Sequence, residues 1–114
     1  IRVTNSGTAS VDVDTVSVTD PIPANSQLCV ATVGDCTAPS FADGTTSSAL
    51  TVAAFEYSFV AGATACDDAS FIGTSPTADA DGYDSTVTCV RQAPTGSMAG
   101  SGGFFDVQIT VGIQ

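Results

Sequence analysis

The stretch Phe105-Asp106-Val107-Gln108-Ile109-Thr110-Val111-Gly112-Ile113 alternates apolar and small or polar residues without a break. Successive side chains of an extended strand point to opposite faces, so this pattern predicts a strand with one face buried and one wet. A helix would space its apolar residues three and four apart. Phe55, Tyr57 and Phe59 alternate with Glu56 and Ser58 in the same way. Working outward, Ile1 to Asn5 reads as a short strand ending at the Ser6-Gly7 turn. Val11, Val13, Val16 and Val18 change phase at Thr15, which predicts two short strands or a β-bulge. Asp20 to Asn25 carries Pro21 and Pro23, which remove ladder donors, so a connection is expected there. Gln27 to Val33, Ala49 to Val52 and Ser85 to Gln92 read as strands. Ala61 to Gly82 reads as a long acidic loop with a short strand at Phe71-Ile72. The sum is an all-β fold: an antiparallel two-sheet Ig-like sandwich forming a single domain over residues 1–114.

Composition supports this class. Of 114 residues 43% are hydrophobic, enough for one core and too many for a disordered chain. They are mostly Val, Ala, Ile and Phe, with Leu28 and Leu50 the only leucines, a bias that suits pleated strands. The charge is lopsided: twelve acidic residues against Arg2 and Arg91, with no Lys or His, give −10. Phosphate backbones require clustered cations, so nucleic-acid binding is excluded, as is docking on an anionic membrane. No apolar run is long enough to insert into a bilayer.

Cys29, Cys36, Cys66 and Cys89 form an even set without histidine or a C-x-x-C pair, which argues for disulfides over zinc. Of the three pairings open to four cysteines, the spacing favours the sequential one, Cys29–Cys36 and Cys66–Cys89. Chain entropy assigns closure of these loops about 2.5 and about 3.4 kcal/mol. Disulfides imply an oxidising, extracellular location. The start at Ile1, without methionine, is expected to reflect processing or trimming.

Ile1-Arg-Val-Thr-Asn-Ser-Gly-Thr-Ala9 and Val16-Ser-Val-Thr-Asp-Pro-Ile-Pro-Ala-Asn-Ser26 resemble the opening of a bacterial and archaeal surface-protein repeat, domain of unknown function eleven. Thr77-Ala-Asp-Ala-Asp-Gly-Tyr-Asp84, Val87 to Arg91, Pro94-Thr-Gly-Ser-Met98 and the alternating final strand extend the likeness over nearly the whole chain. The resemblance implies an Ig-like fold at the cell surface, in tandem arrays or fibrous assemblies, and no catalysis. Isopeptide crosslinks known in related surface domains need lysine, which is absent. The family's first strand also starts several residues earlier than Ile1.

Among candidate sites, Asp79, Asp81 and Asp84 bend round Gly82, a spacing that can converge hard oxygens on Ca²⁺ at about 2.4 Å. Asp67 and Asp68, beside Cys66, could add ligands if Cys66 bridges Cys89. The competing reading is an Asp/Gly turn capped by its own side chains. Without His or Lys no Ser-His-Asp triad or Cys-His pair forms, so the chain is expected not to be an enzyme. Glu56 reads as a solvated strand residue.

The expected function is therefore structural: a self-associating subunit of an extracellular filament or surface array. Its contacts are assigned to the terminal strands, through Ile1, Val3, Phe105, Val107, Ile109, Val111 and Ile113, with Gly100 to Gly103 as a hinge. Its partners are copies of itself, and its many Ser and Thr could carry O-linked glycans, since no Asn-x-Ser/Thr sequon occurs. The alternatives are an Ig-like adhesin or carbohydrate-binding module using the Ala61 to Gly82 loop, or an inert spacer. Sugars stack on Trp and Tyr, and Tyr57 and Tyr83 are the only such residues.

Overall fold

The computed structural model, which describes residues 1–114, contains nine short strands, in which β-branched and aromatic residues recur. These are β1 (Arg2–Asn5), β2 (Val18–Pro21), β3 (Ser26–Cys29), β4 (Ser40–Asp43), β5 (Glu56–Ser58), β6 (Tyr83–Asp84), β7 (Cys89–Gln92), β8 (Gly103–Gln108) and β9 (Val111–Ile113). The only helical element is a 3₁₀ turn at Asp68–Ser70. Where the sequence predicts two sheets, the strands form three small antiparallel ones, ordered β1-β8-β4, β2-β7-β5 and β6-β3-β9.

The alternating run Phe105 to Ile113 is divided between two of these sheets. It breaks after Gln108, and its two halves join different sheets. Period-two patterning reports an extended backbone but not the pairing partner, so a strand that changes sheet keeps its alternation. Phe105 and Val107 are buried, whereas Val111 is 43% and Ile113 90% exposed. Other segments are shorter than their sequence suggests. Val11, Val13 and Val16 lie in no strand; Val11 and Asp14 donate their N–H to the carbonyls of Met98 and Gly96 instead. Ala49 to Val52 forms no strand because Ala49 turns to φ 62°, and only Thr51 bridges, to Thr95. Phe71-Ile72 is irregular, with Ile72 72% exposed. Pro21 does enter a strand, β2, but an edge one, and the adjacent Ile22 N–H reaches Thr88 O at 2.9 Å, so proline's missing donor faces away from the ladder.

The chain forms two compact units. The first comprises Ile1–Val18, Ser40–Ala54 and Gln92–Gln108. Its axis is β8, paired on one side with β1 in the register Arg2↔Asp106 and on the other with β4 in the register Phe41↔Val107. Phe105 is fully buried and stacks on Phe41, ring centroids 5.0 Å apart. Leu50, Met98 and Val107 complete this core. The buried Gln92 amide is satisfied by Ala53, accepting from its N–H at 3.1 Å and donating to its carbonyl at 2.8 Å.

Beside this core, the end of β4 carries an acid-sensitive cap. Asp43 accepts the Ser47 hydroxyl at 2.6 Å and both the hydroxyl and N–H of Ser48, at 2.5 and 2.8 Å. These bonds favour the carboxylate, first through Ser47 and then through Ser48, and hold Asp43 down from 3.8 to about 2. A carboxyl depressed on folding stabilises the fold above its ordinary value, and that contribution disappears as pH falls through the folded one. Thermal melts should therefore show Asp43→Asn losing the part of the wild-type pH dependence that lies between 3.8 and about 2. Parallel wild-type and variant curves across that window would contradict this role for the cap.

The second unit comprises Thr19–Pro39, Phe55–Arg91 and Ile109–Gln114. Leu28 of β3 and Val90 of β7 meet Val87 in a buried cluster. Ile22, Val30, Phe55, Tyr57, Phe59 and Ile109 pack round it. Ile109, assigned to self-assembly from sequence, is thus a core contact of this unit.

Candidate functional site

Two disulfides shape the loops of the second unit. Cys29–Cys36 closes a short loop in which Val33 and Cys36 exchange backbone hydrogen bonds at 2.9 and 3.1 Å. Cys66–Cys89 joins the long acidic loop to β7, with Cys89 fully buried. No cysteine remains free.

The loop from Thr77 to Thr86 is held by its own carboxylates. Asp79 Oδ1 accepts the N–H groups of Asp81 and Tyr83 at 3.0 and 2.9 Å. Asp84 accepts the Thr77 N–H at 2.8 Å on one oxygen, and the N–H and hydroxyl of Thr86 at 2.8 and 2.6 Å on the other. Burial pushes the Asp84 carboxyl up, but the bonds from Thr86 and Thr77 outweigh it and leave it below its usual range. At the tip, Gly82 has φ 91° and its carbonyl accepts from the N–H groups of Val30 and Ala31 at 2.9 and 3.1 Å. A Cβ there would strike Ala31 O and the Cys36 sulfur, so only glycine lets the loop seat against β3.

Asp79, Asp81, Asp84, Asp67 and Asp68, the carboxylates assigned to calcium from sequence, are not drawn together. Asp68 pairs with Arg91 at 2.8 Å, Asp67 precedes the 3₁₀ turn without capping it through its side chain, and no group of three or more acidic side chains is placed to hold a metal ion.

From sequence Arg91 is either a rim ion-pair partner or an intersubunit contact; in the structure it forms ion pairs within the chain. Its Nε meets Glu56 Oε2 across the β5–β7 ladder at 2.8 Å, its Nη1 meets Asp68, and its guanidinium lies 4.2 Å from the centre of the Phe71 ring. Glu56 is thus an ion-pair partner rather than only a solvated residue. The cluster ties the start of the acidic loop to the sheet, 15% of the Arg91 side chain remaining exposed. Opposite charges on two alternating strands were the available signal, but the register that makes them neighbours is set by pairing. Arg2 is similarly engaged, bidentate to Asp106 at 2.8 and 2.9 Å and stacked over Phe104.

Two surface features remain. The first is an open cleft of about 530 Å³ with Phe59 and Tyr83 among its walls and Thr74, Ser75, Asp79 and Asp84 along its polar side. Tyr83 also borders a second cleft of about 340 Å³, together with Val33, Asp35 and Asp81. The second feature is the edge of β9. Gln114 N–H donates to Asn25 O at 3.0 Å and Cys29 N–H to Thr110 O at 2.8 Å, so the residues between them alternate, and Val111 and Ile113 direct their N–H and C=O away from β3.

Of the residues assigned to self-assembly, Phe105 and Val107 lie on β8, both of whose edges are occupied within the chain. Gly100 to Gly103 packs against its surroundings rather than acting as a free hinge: Gly102 N–H bonds Asn5 O at 2.9 Å and Gly103 is buried. Ile1 and Val3 pair opposite Val107 and Phe105, Ile1 exchanging backbone bonds with Val107 at 2.7 and 2.8 Å. Ile1 to Asn5 and Val111 to Ile113 are therefore paired within the chain, and β1 and β9 stand among the six edge strands, with β2, β4, β5 and β6. Compared with family models, curated proteins and solved structures, the chain matches none of them.

Proposed function

We propose that this chain is a non-catalytic extracellular structural protein, kin to the Ig-like surface repeats, whose copies associate through the edge of β9 into a filament or array. The observation that carries the reading is that edge. Natural sheet edges are usually blunted by charge, proline, a bulge or a covering segment. β9, Val-Gly-Ile, is three residues long but carries neither charge nor proline, and presents Ile113 at 90% and Val111 at 43% exposure. Two disulfides and the absence of any helix able to cross a membrane are compatible with an extracellular setting. A pairing of β9 on one copy with β1 on the next is heterologous and propagates; β9 with β9 would stop at a dimer.

With a net charge of −10 the copies repel one another, so association should strengthen as salt shortens the screening length to about 8 Å near physiological strength. Sedimentation velocity and electron microscopy of the oxidised protein should show salt-promoted polymers. Val111→Lys with Ile113→Lys should leave a folded monomer with an unchanged circular dichroism spectrum. A wild type that stays monomeric at high concentration and salt, or a double variant that polymerises normally, defeats the proposal.

A further inference from the structure

We infer that the cleft beside Tyr83 is a binding site for a neutral oligosaccharide, independently of whether the chain polymerises. Three observations converge. The cleft combines two aromatic rings, Phe59 and Tyr83, with hydroxyls such as those of Thr74 and Ser75, and its volume of about 530 Å³ falls in the range of ligand sites. A pyranose has that divided character, an apolar C–H face that packs on an aromatic ring and a rim of hydroxyls. Next, an acceptor is held ready. Asp79 is fixed by two N–H groups on Oδ1, while its Oδ2 accepts none and can take a sugar hydroxyl without disturbing the loop. Finally, no cation lines the cleft, and both arginines are engaged elsewhere, Arg2 with Asp106 and Arg91 with Glu56 and Asp68. An acidic polymer would bring its charge against Asp79 and Asp84 with nothing to offset it.

The second cleft indicates the ligand's length. Tyr83 belongs to both, so a linear chain of several sugars can lie across it from Asp79 towards Val33. Gly112 explains how the ring is accommodated: a Cβ at that position would come within 3.0 Å of Tyr83 Cε1. The ring therefore rests over a glycine of β9, held by the sheet rather than by a mobile loop.

The test uses the whole oxidised protein, at low salt, with cellotetraose, maltotetraose and chitotetraose as neutral probes and tetragalacturonate as the anionic one. Titrations are followed by amide chemical shifts and by calorimetry. At least one neutral tetrasaccharide should shift Thr74, Ser75 and Tyr83 together, and bind about tenfold more tightly than its monosaccharide. Tyr83→Ala should weaken that binding about tenfold or more, and Tyr57→Phe should not. Should Tyr83→Ala fail to fold, Ser75→Trp, at an exposed loop position, fills the cleft and should abolish binding on an intact fold. The inference is overturned if no neutral probe binds, if shifts map away from Tyr83, if Ser75→Trp binds as wild type, or if tetragalacturonate binds as well as the neutral chains.

Discussion

Phe105→Ala should lower the stability of the fold by about 3–5 kcal/mol, the range for deleting a fully buried aromatic side chain. Phe105 has no exposed surface and stacks on Phe41 at 5.0 Å. Its strand is laddered on both sides, to β1 and to β4, so the backbone cannot collapse into the space the ring leaves. The cavity cost should therefore fall at the upper end of the range, with the stacking contribution of about 0.5–1.5 kcal/mol lost as well. Urea unfolding should show a lower midpoint at an unchanged slope. A shift worth less than about 1 kcal/mol would mean that the first unit is not organised round β8.

Removing the Cys66–Cys89 bridge should cost nearly as much. Its sequence separation of 23 corresponds to about 3.4 kcal/mol of closure entropy, against about 2.5 kcal/mol for Cys29–Cys36 with its separation of 7. Beyond the entropy, the bridge and Arg91 hold the same segment, since Asp68 and Phe71 follow Cys66 within five residues. Loss of the bridge should therefore speed hydrogen exchange from Asp67 to Phe71 as well as lowering the melting temperature. Paired Cys→Ala variants compared by denaturation give the order: the Cys66/Cys89 pair is expected to be the more destabilised. The reverse order would show that the long loop is already constrained in the unfolded chain.

How legible this structure was depends on the kind of information each feature needs. Strand character could be read where one strand faces a core, as at Glu56–Ser58 and Gly103–Gln108, because burial on one side imposes alternation. It could not be read at Val11 to Val16, where Val13 and Asp14 form a turn with Asp14 at φ 57° although the valines suit a strand. The division of Phe105 to Ile113 between two sheets depends on partners far away in sequence. The Asp79–Asp84 loop was found as a cluster of carboxylates, but residue spacing is equally consistent with metal ligation and with turn capping. In the structure Asp79 Oδ1 and both Asp84 oxygens accept N–H groups, and Asp84 also accepts the Thr86 hydroxyl. The Tyr83 cleft joins Phe59 to residues from Thr74 onward, a juxtaposition invisible in one dimension.

The scarcity of cations has a consequence for survival among digestive enzymes. Proteases of the trypsin type cut only after Lys or Arg, and this chain offers them Arg2–Val3 and Arg91–Gln92 alone. The first lies in β1, where Val3 pairs with Phe105 of β8. The second lies inside β7, the central strand of its sheet, with the Arg91 side chain already gripped by Glu56 and Asp68. A protease must bind its target extended and unpaired, so cleavage there has to wait for the sheet to open. The two arginines thus place the chain's tryptic bonds inside paired strands, shielded by the fold itself.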